Sequence, residues 1–155
     1  MKKMATTLAL FIAIFTFVFM AQHKKNELRG KWVLVSYGKK ESIQKPVQFE
    51  PYKVEPTLTF EKDNEVFLKA GRGSLCKGMY KIGKKNKATE IKFENLAYAK
   101  FKLAPPYPST EEVEQIRKIT QLFESAKSFE IKKNQLTIHC EQDGVLVFEK
   151  EAEKN

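Results

Sequence analysis

Two cysteines, two histidines and the serines are the residues from which nucleophilic chemistry would have to be built in this chain. A serine or cysteine nucleophile needs a base within hydrogen-bond reach, and histidine is the usual one. His23 lies in a polar stretch ahead of the first strand-like segment. His139 alternates against Leu136 and Ile138, which puts it on the polar face of a strand. A lone histidine there reads as a surface residue rather than a base. The sequence contains no GxSxG, HExxH, CxxC, phosphate-binding loop or calcium-binding loop. The lysine-rich run Lys84–Lys87 reads as a solvated hairpin tip rather than an anion site. Grouped carboxylates occur at Glu111, Glu112 and Glu114, where helix capping explains them. The expectation is therefore a non-enzymatic protein with no catalytic, cofactor-binding or metal-binding residues.

The elements that would position any site begin after a separate N-terminal segment. Lys2 and Lys3 precede an apolar run from Met4 to Ala21, softened by Thr6, Thr7 and Thr16 and ended by Gln22-His23-Lys24-Lys25. This is the order of a secretory signal, and Ala21 is a small residue where cleavage would fall. An uncleaved anchor is the alternative, because about 20 apolar residues suffice to span a bilayer. The expected location is extracytoplasmic, periplasmic or secreted. Residues 22–27 form a polar tail, 28–150 one domain and 151–155 a charged tail. Removing Lys2 and Lys3 leaves 26 basic against 19 acidic residues, a charge of +7. Only Arg29, Arg72 and Arg117 are arginines, and the lysines are spread along the whole chain. Base reading leans on arginine, so no specific nucleic-acid partner is expected. Weak attraction to anionic surfaces is compatible with the charge.

The domain reads as α+β: about eight antiparallel strands, curved or barrel-like, with one packed helix near residues 110–126. In Leu28–Tyr37, Trp32, Leu34 and Ser36 point one way and Val33, Val35 and Tyr37 the other, with Trp32 a core plug. Lys39–Val54 is polar with Pro46 and Pro51 and reads as a loop. Pro56–Phe60 and Asn64–Ala70 are strands, the latter with Val66, Leu68 and Ala70 on one face. The segment GRGSLCKGMYKI, Gly71–Ile82, is where the sheet turns back; Gly78 marks a bulge or the close approach of another strand. Thr89–Leu96 continues as a strand, and Ala97–Leu103 is open between strand and loop. Pro105, Pro106 and Pro108 lead to the capping box Ser109-Thr110-Glu111-Glu112. Val113, Ile116, Ile119, Thr120, Phe123 and Ala126 trace the buried helix face, and Glu114 can pair with Lys118. Three strands close the chain, marked by Phe129 and Ile131, by Leu136, Ile138 and Cys140, and by Val145–Phe148. Lys133-Asn134 and Asp143-Gly144 are their hairpin turns.

In order, LRGKWVLVS, PTLTF, GSLCKGMY, a helix opened by glutamates and LTIHCEQDGVLVF resemble the META domain, a family of small exported bacterial proteins also called HslJ-like. The resemblance covers about residues 28–149 and rests on Gly30, Trp32, Cys76, Gly78 and Tyr80. Here the family's longer GCN segment is compressed to Cys76-Lys77-Gly78, and its second cysteine before the helix is missing. The resemblance implies an antiparallel fold with a packed helix, an association with envelope stress, and no established catalysis.

Two alternatives stand beside a binding or stabilising role in the envelope. A lipocalin-like carrier would close its strands around a cavity of several hundred Å3 rather than a solid core. A protease-inhibitor-like module would use an exposed loop, Lys39–Tyr52 or Ala104–Pro108. The partner would be an envelope protein or ligand, and the chain itself is expected to be a monomer. Cys76 and Cys140 leave a further choice. An oxidising compartment favours a disulfide between them, whereas Cys140 shares the core phase of Leu136 and Ile138 and would sit there as a buried thiol.

Overall fold

The computed structural model describes residues 23, 25–85, 88–100 and 105–152. Residues 1–22, on which the expected leader falls, Lys24, Asn86 and Lys87 of the lysine-rich run, the segment 101–104 and the last three residues lie outside them. Among the described residues nine strands and one long helix follow in the order β1 Gly30–Lys39, β2 Ser42–Gln44, β3 Thr57–Phe60, β4 Glu65–Gly71, β5 Ser74–Lys85, β6 Ala88–Lys100, α1 Thr110–Glu124, β7 Ala126–Lys132, β8 Gln135–Cys140 and β9 Gly144–Lys150. All pairings are antiparallel, and all join sequence neighbours apart from β1 with β3 and β1 with β9. The last of these closes β1 and β3–β9 into an eight-stranded barrel, which removes the edges an open sheet would expose. No helix among the described residues is long and apolar enough to cross a membrane.

An eight-stranded barrel has an interior just wide enough for side chains. Here Trp32, Leu58, Phe60, Val66, Leu68, Tyr80, Leu136, Ile138 and Phe148 are buried and belong to one core. Phe60 meets Tyr80 edge-on at 5.0 Å between ring centroids. The strands do close, but around packed side chains, and this overturns the lipocalin-like alternative. Each large apolar side chain taken out of water contributes about 1.5–3 kcal/mol, so a filled interior is the expected stable solution.

The inward alternation in β1 breaks at a bulge. The pairing with β9 slips between Leu34 and Ser36, so Tyr37, rather than Ser36, joins Trp32 and Leu34 on the buried face. The polar stretch after β1 is also not wholly loop: Ser42–Gln44 folds back as β2 on Tyr37–Lys39. β6 runs to Lys100, which resolves part of the ambiguous segment as strand. The hairpin before β9 places Gln142 and Asp143 at positive φ, 50° and 58°, while Gly144 has an ordinary φ of −68°. The turn is built on the two residues preceding the glycine, a mirror-image turn whose twist suits the strands.

The two mouths of the barrel are closed differently. A helical turn over residues 25–28 covers one, with Leu28 fully buried, so the polar tail is partly folded. The Trp32 indole N–H donates to the Leu28 carbonyl at 2.7 Å. α1 lies across the other mouth and packs on β1, β4 and β9.

Candidate functional site

Apart from Gly30, which is exposed, the residues that carry the sequence pattern are packed rather than displayed. Gly30 opens β1, Trp32 is completely buried, and Cys76 and Tyr80 are buried on β5. Gly78 marks both features anticipated for it. The β5–β6 register shifts between Lys77 and Met79, and a Cβ at Gly78 would lie 2.5 Å from Leu96 Cδ2 and 3.0 Å from the Glu94 carbonyl oxygen. Any side chain there would push β6 away. Cys76 and Cys140 are both free and buried, on β5 and β8, so the disulfide alternative is not realised in this structure. Burial pushes the Cys140 thiol up to about 12 and raises that of Cys76 as well. His139 sits half-exposed on the outer barrel face, its Nε2 3.9 Å from a Glu130 carboxylate oxygen. Among the described residues no group of three or more His, Cys, Asp or Glu is placed to hold a metal ion.

The helix-capped mouth is polar at its joints. Ser109 Oγ accepts from the Glu112 amide at 3.1 Å, as the capping box requires. The Glu112 carboxylate does not serve the cap; it is buried 3.5 Å from the Arg72 guanidinium. Arg72 stands in the β4–β5 turn. It donates to the Pro106 carbonyl at 2.6 Å and stacks 4.6 Å over the Tyr52 ring. Tyr52 in turn donates to the Pro105 carbonyl at 3.3 Å. The two loops considered as inhibitory segments are thus tied to each other.

One turn further along α1, the Gln115 amide holds the backbone of Val47 on both sides. The Val47 N–H donates to Gln115 Oε1 at 2.7 Å, and Gln115 Nε2 donates to the Val47 carbonyl at 3.0 Å. Glu112 and Gln115 therefore occupy the buried face with Ile119 and Phe123, whereas Val113, expected inside, is 52% exposed. Glu114 pairs with Arg117 at 2.8 Å rather than with Lys118.

This rotation of α1 turns its Lys118, Gln121, Leu122, Ser125 flank toward the β1–β2 hairpin. Tyr37, Lys39, Ser42 and Gln44, which stand opposite one another across that hairpin, form the facing wall. Between them runs a cleft of about 460 Å3, floored by Gly38 and Gly144 with Glu141 and Gln142 at one end. Gly38 is required: its φ is +134°, and a Cβ there would strike the Ser42 carbonyl oxygen at 2.6 Å. Lys39 and Lys118 form no ion pair within 4 Å among the described residues; Lys118 lies near enough to Glu114 to help hold that carboxyl below the usual carboxylate range, behind the larger effect of Arg117. Glu141, the one acid of the lining, is engaged by Lys127 at 3.4 Å. The arrangement can bind and orient an anionic or amide-bearing group. It offers no paired nucleophile and base.

The pattern of the META domain matches residues 25–153. The chain belongs to the META domain family. No curated protein matches it. Among solved structures it is similar to a protein from Burkholderia xenovorans determined by NMR, at 16% identity and a TM-score of 0.54, covering 83% of this chain and 86% of that one. A second protein determined by NMR is 20% identical with a TM-score of 0.53, covering 81% and 93%. These likenesses show the fold. In this META domain Trp32, Cys76, Gly78 and Tyr80 build the barrel, whereas Lys39, Gln44, Lys118 and Gln121 of the cleft are not among the residues on which the resemblance was read. Sequence reading passed over these four because each looks like an ordinary solvated residue; only the rotation of α1 and the short β2 bring them together.

Proposed function

We propose that this META domain is an exported, non-enzymatic binding module of the cell envelope, with the cleft between the β1–β2 hairpin and α1 as its ligand site. The charged, apolar and small-residue order of residues 2–25 supports export. The cleft carries the binding reading: it is a concave surface on which the polar side chains of Lys39, Gln44, Lys118 and Gln121 converge from the hairpin and the helix, as they do in ligand sites. The test is a pull-down from envelope extract with the protein lacking residues 1–21, read by mass spectrometry. Gln121→Trp, which fills the cleft from an exposed helix position, serves as comparison. A partner recovered by the wild type and lost by Gln121→Trp supports the reading. Equal recovery by both, or no specific recovery, rejects it.

A second reading, a protease-inhibitor-like module, draws on the direct hydrogen bond from Tyr52 to the Pro105 carbonyl and on Arg72, which stacks on Tyr52 and donates to Pro106, holding two loops as one unit. Inhibition of a panel of secreted proteases, abolished by cutting or replacing residues 48–53, is the measurement that would support it.

A further inference from the structure

We infer that the cleft binds an extended peptide segment bearing carboxylates, the backbone clasped by glutamine amides and the acids met by Lys39 and Lys118. The inference rests on the binding reading above and names the chemistry of its ligand. The first observation is how this molecule already holds extended backbone. Gln115, on the same helix, accepts from the Val47 N–H at 2.7 Å and donates to the Val47 carbonyl at 3.0 Å. A side-chain amide is the neutral group that can do both at once. Gln44, Gln121 and Gln142, three more side chains of this kind, line the cleft, and none of the three has a hydrogen-bond partner among the described residues.

The second observation is charge. Lys39 stands on one wall and Lys118 on the other, both exposed, while the acid of the lining is neutralised by Lys127. The cleft is thus cationic on both sides, and an acidic segment complements it. The third is dimension. The helix wall from Lys118 to Ser125 spans about 10 Å at 1.5 Å per residue. An extended peptide rises about 3.3 Å per residue, so about three residues fit. Leu122, half-buried in the lining, gives the cleft an apolar surface for the intervening side chain. A bare inorganic anion would use the lysines and leave the amides and this surface idle.

The experiment is a titration of the 15N-labelled protein followed by NMR, with acetyl-AEAEA-amide, acetyl-AQAQA-amide and inorganic phosphate as separate probes. The acidic peptide is expected to move the amides of residues 38–44 and 118–125 saturably. The neutral peptide should bind at least about tenfold more weakly, and Lys39→Glu with Lys118→Glu should weaken the acidic peptide by a similar factor. Lys118→Gln, a milder change, should give an intermediate loss. Shifts elsewhere or nowhere, equal binding of the neutral peptide, or phosphate acting on the same amides as strongly as the acidic peptide would each overturn the inference. The envelope pull-down separates the two levels. Recovery lost in Gln121→Trp but kept in the charge-reversed protein ends the acidic-peptide assignment and leaves the binding site; recovery unaffected by either ends both.

Discussion

The two mouths of this barrel solve one problem with opposite chemistry. The mouth at the start of β1 is plugged by Leu28 and Trp32, both fully buried, with a single indole hydrogen bond to a carbonyl. The mouth under α1 is held by Ile119 and Phe123 at its centre, but at its rim by Arg72–Glu112, Gln115–Val47 and Tyr52–Pro105. An apolar plug gains from every surface it hides and leaves nothing over for a ligand. A polar rim is directional, so it fixes where loops and helix stand and can leave a gap between them. The cleft lies at the polar mouth, and the family's tryptophan lies at the apolar one.

The contrast predicts where stability resides, and the sharpest way to break it is Trp32→Ala. The ring is fully buried and its N–H is hydrogen-bonded. Emptying that volume should cost about 3–5 kcal/mol. Denaturant unfolding followed by circular dichroism measures it. A loss below about 1 kcal/mol would mean that the apolar mouth is no anchor at all.

At the other mouth the comparison is within one helix. Phe123 is fully buried and stacks on Phe93 at 4.0 Å between centroids, so Phe123→Ala should cost about 3 kcal/mol or more. Val113, ten residues earlier on the same helix, is half-exposed, and Val113→Ala should stay within about 0.5 kcal/mol. Equal costs at the two positions would show that α1 sits on the sheet in the orientation its hydropathy suggests rather than the one its polar contacts impose.

That orientation marks the limit of what the amino-acid order discloses. Strand alternation put Val66, Leu68, Leu136 and Ile138 in the core, and Ser109 announced the helix start, because both signals are local. The choice of helix face was not local. Glu112 is drawn in by Arg72 from the β4–β5 turn, and Gln115 by Val47 from the strap after β2. Two polar residues on a buried stripe look like surface until their partners are known. The bulge that turns Tyr37 inward and the β1–β9 pairing that closes the barrel depend likewise on residues about 110 positions apart. The cleft was illegible for the same reason: its walls are assembled from residues near 40, 120 and 142.

A smaller effect tests the rim itself. Gln115→Ala removes the amide that clasps Val47 and leaves a part-buried backbone N–H and carbonyl without their partner. The expected loss is about 1–2 kcal/mol. It should come with faster amide hydrogen exchange at Val47, while exchange in β8 and β9 is unchanged. Uniform acceleration through the barrel would show that the strap is not a separate unit, and the contrast between rim and core would lose its basis.

The smallest effect concerns the two thiols, which both lie in the well-packed part of the molecule. With Cys76 and Cys140 free and buried, a thiol assay on unreduced protein in denaturant should find two per chain, and the native protein should react only slowly. No thiols in denaturant would establish a disulfide and a barrel unlike this one. Burial also gives a pH signature. The Cys140 thiol titrates at about 12 in the fold against an ordinary value of 9.0, and Cys76 is shifted the same way. Below pH 9 both folded and unfolded chains keep the proton, so the packing contribution of the thiol is fully present. Between pH 9 and 12 the unfolded chain releases its proton first, and stability falls as the pH rises. Buried tyrosines act in the same direction: burial raises Tyr37 and Tyr80 too, so the wild type alone is not diagnostic. The difference between wild type and Cys140→Ala isolates the thiol. That difference should be constant up to about pH 8.5 and should narrow above it. A gap that stays constant to pH 10.5 would mean that the Cys140 thiol is as solvated as a free one, and that the end of β8 packs less tightly than the barrel around it.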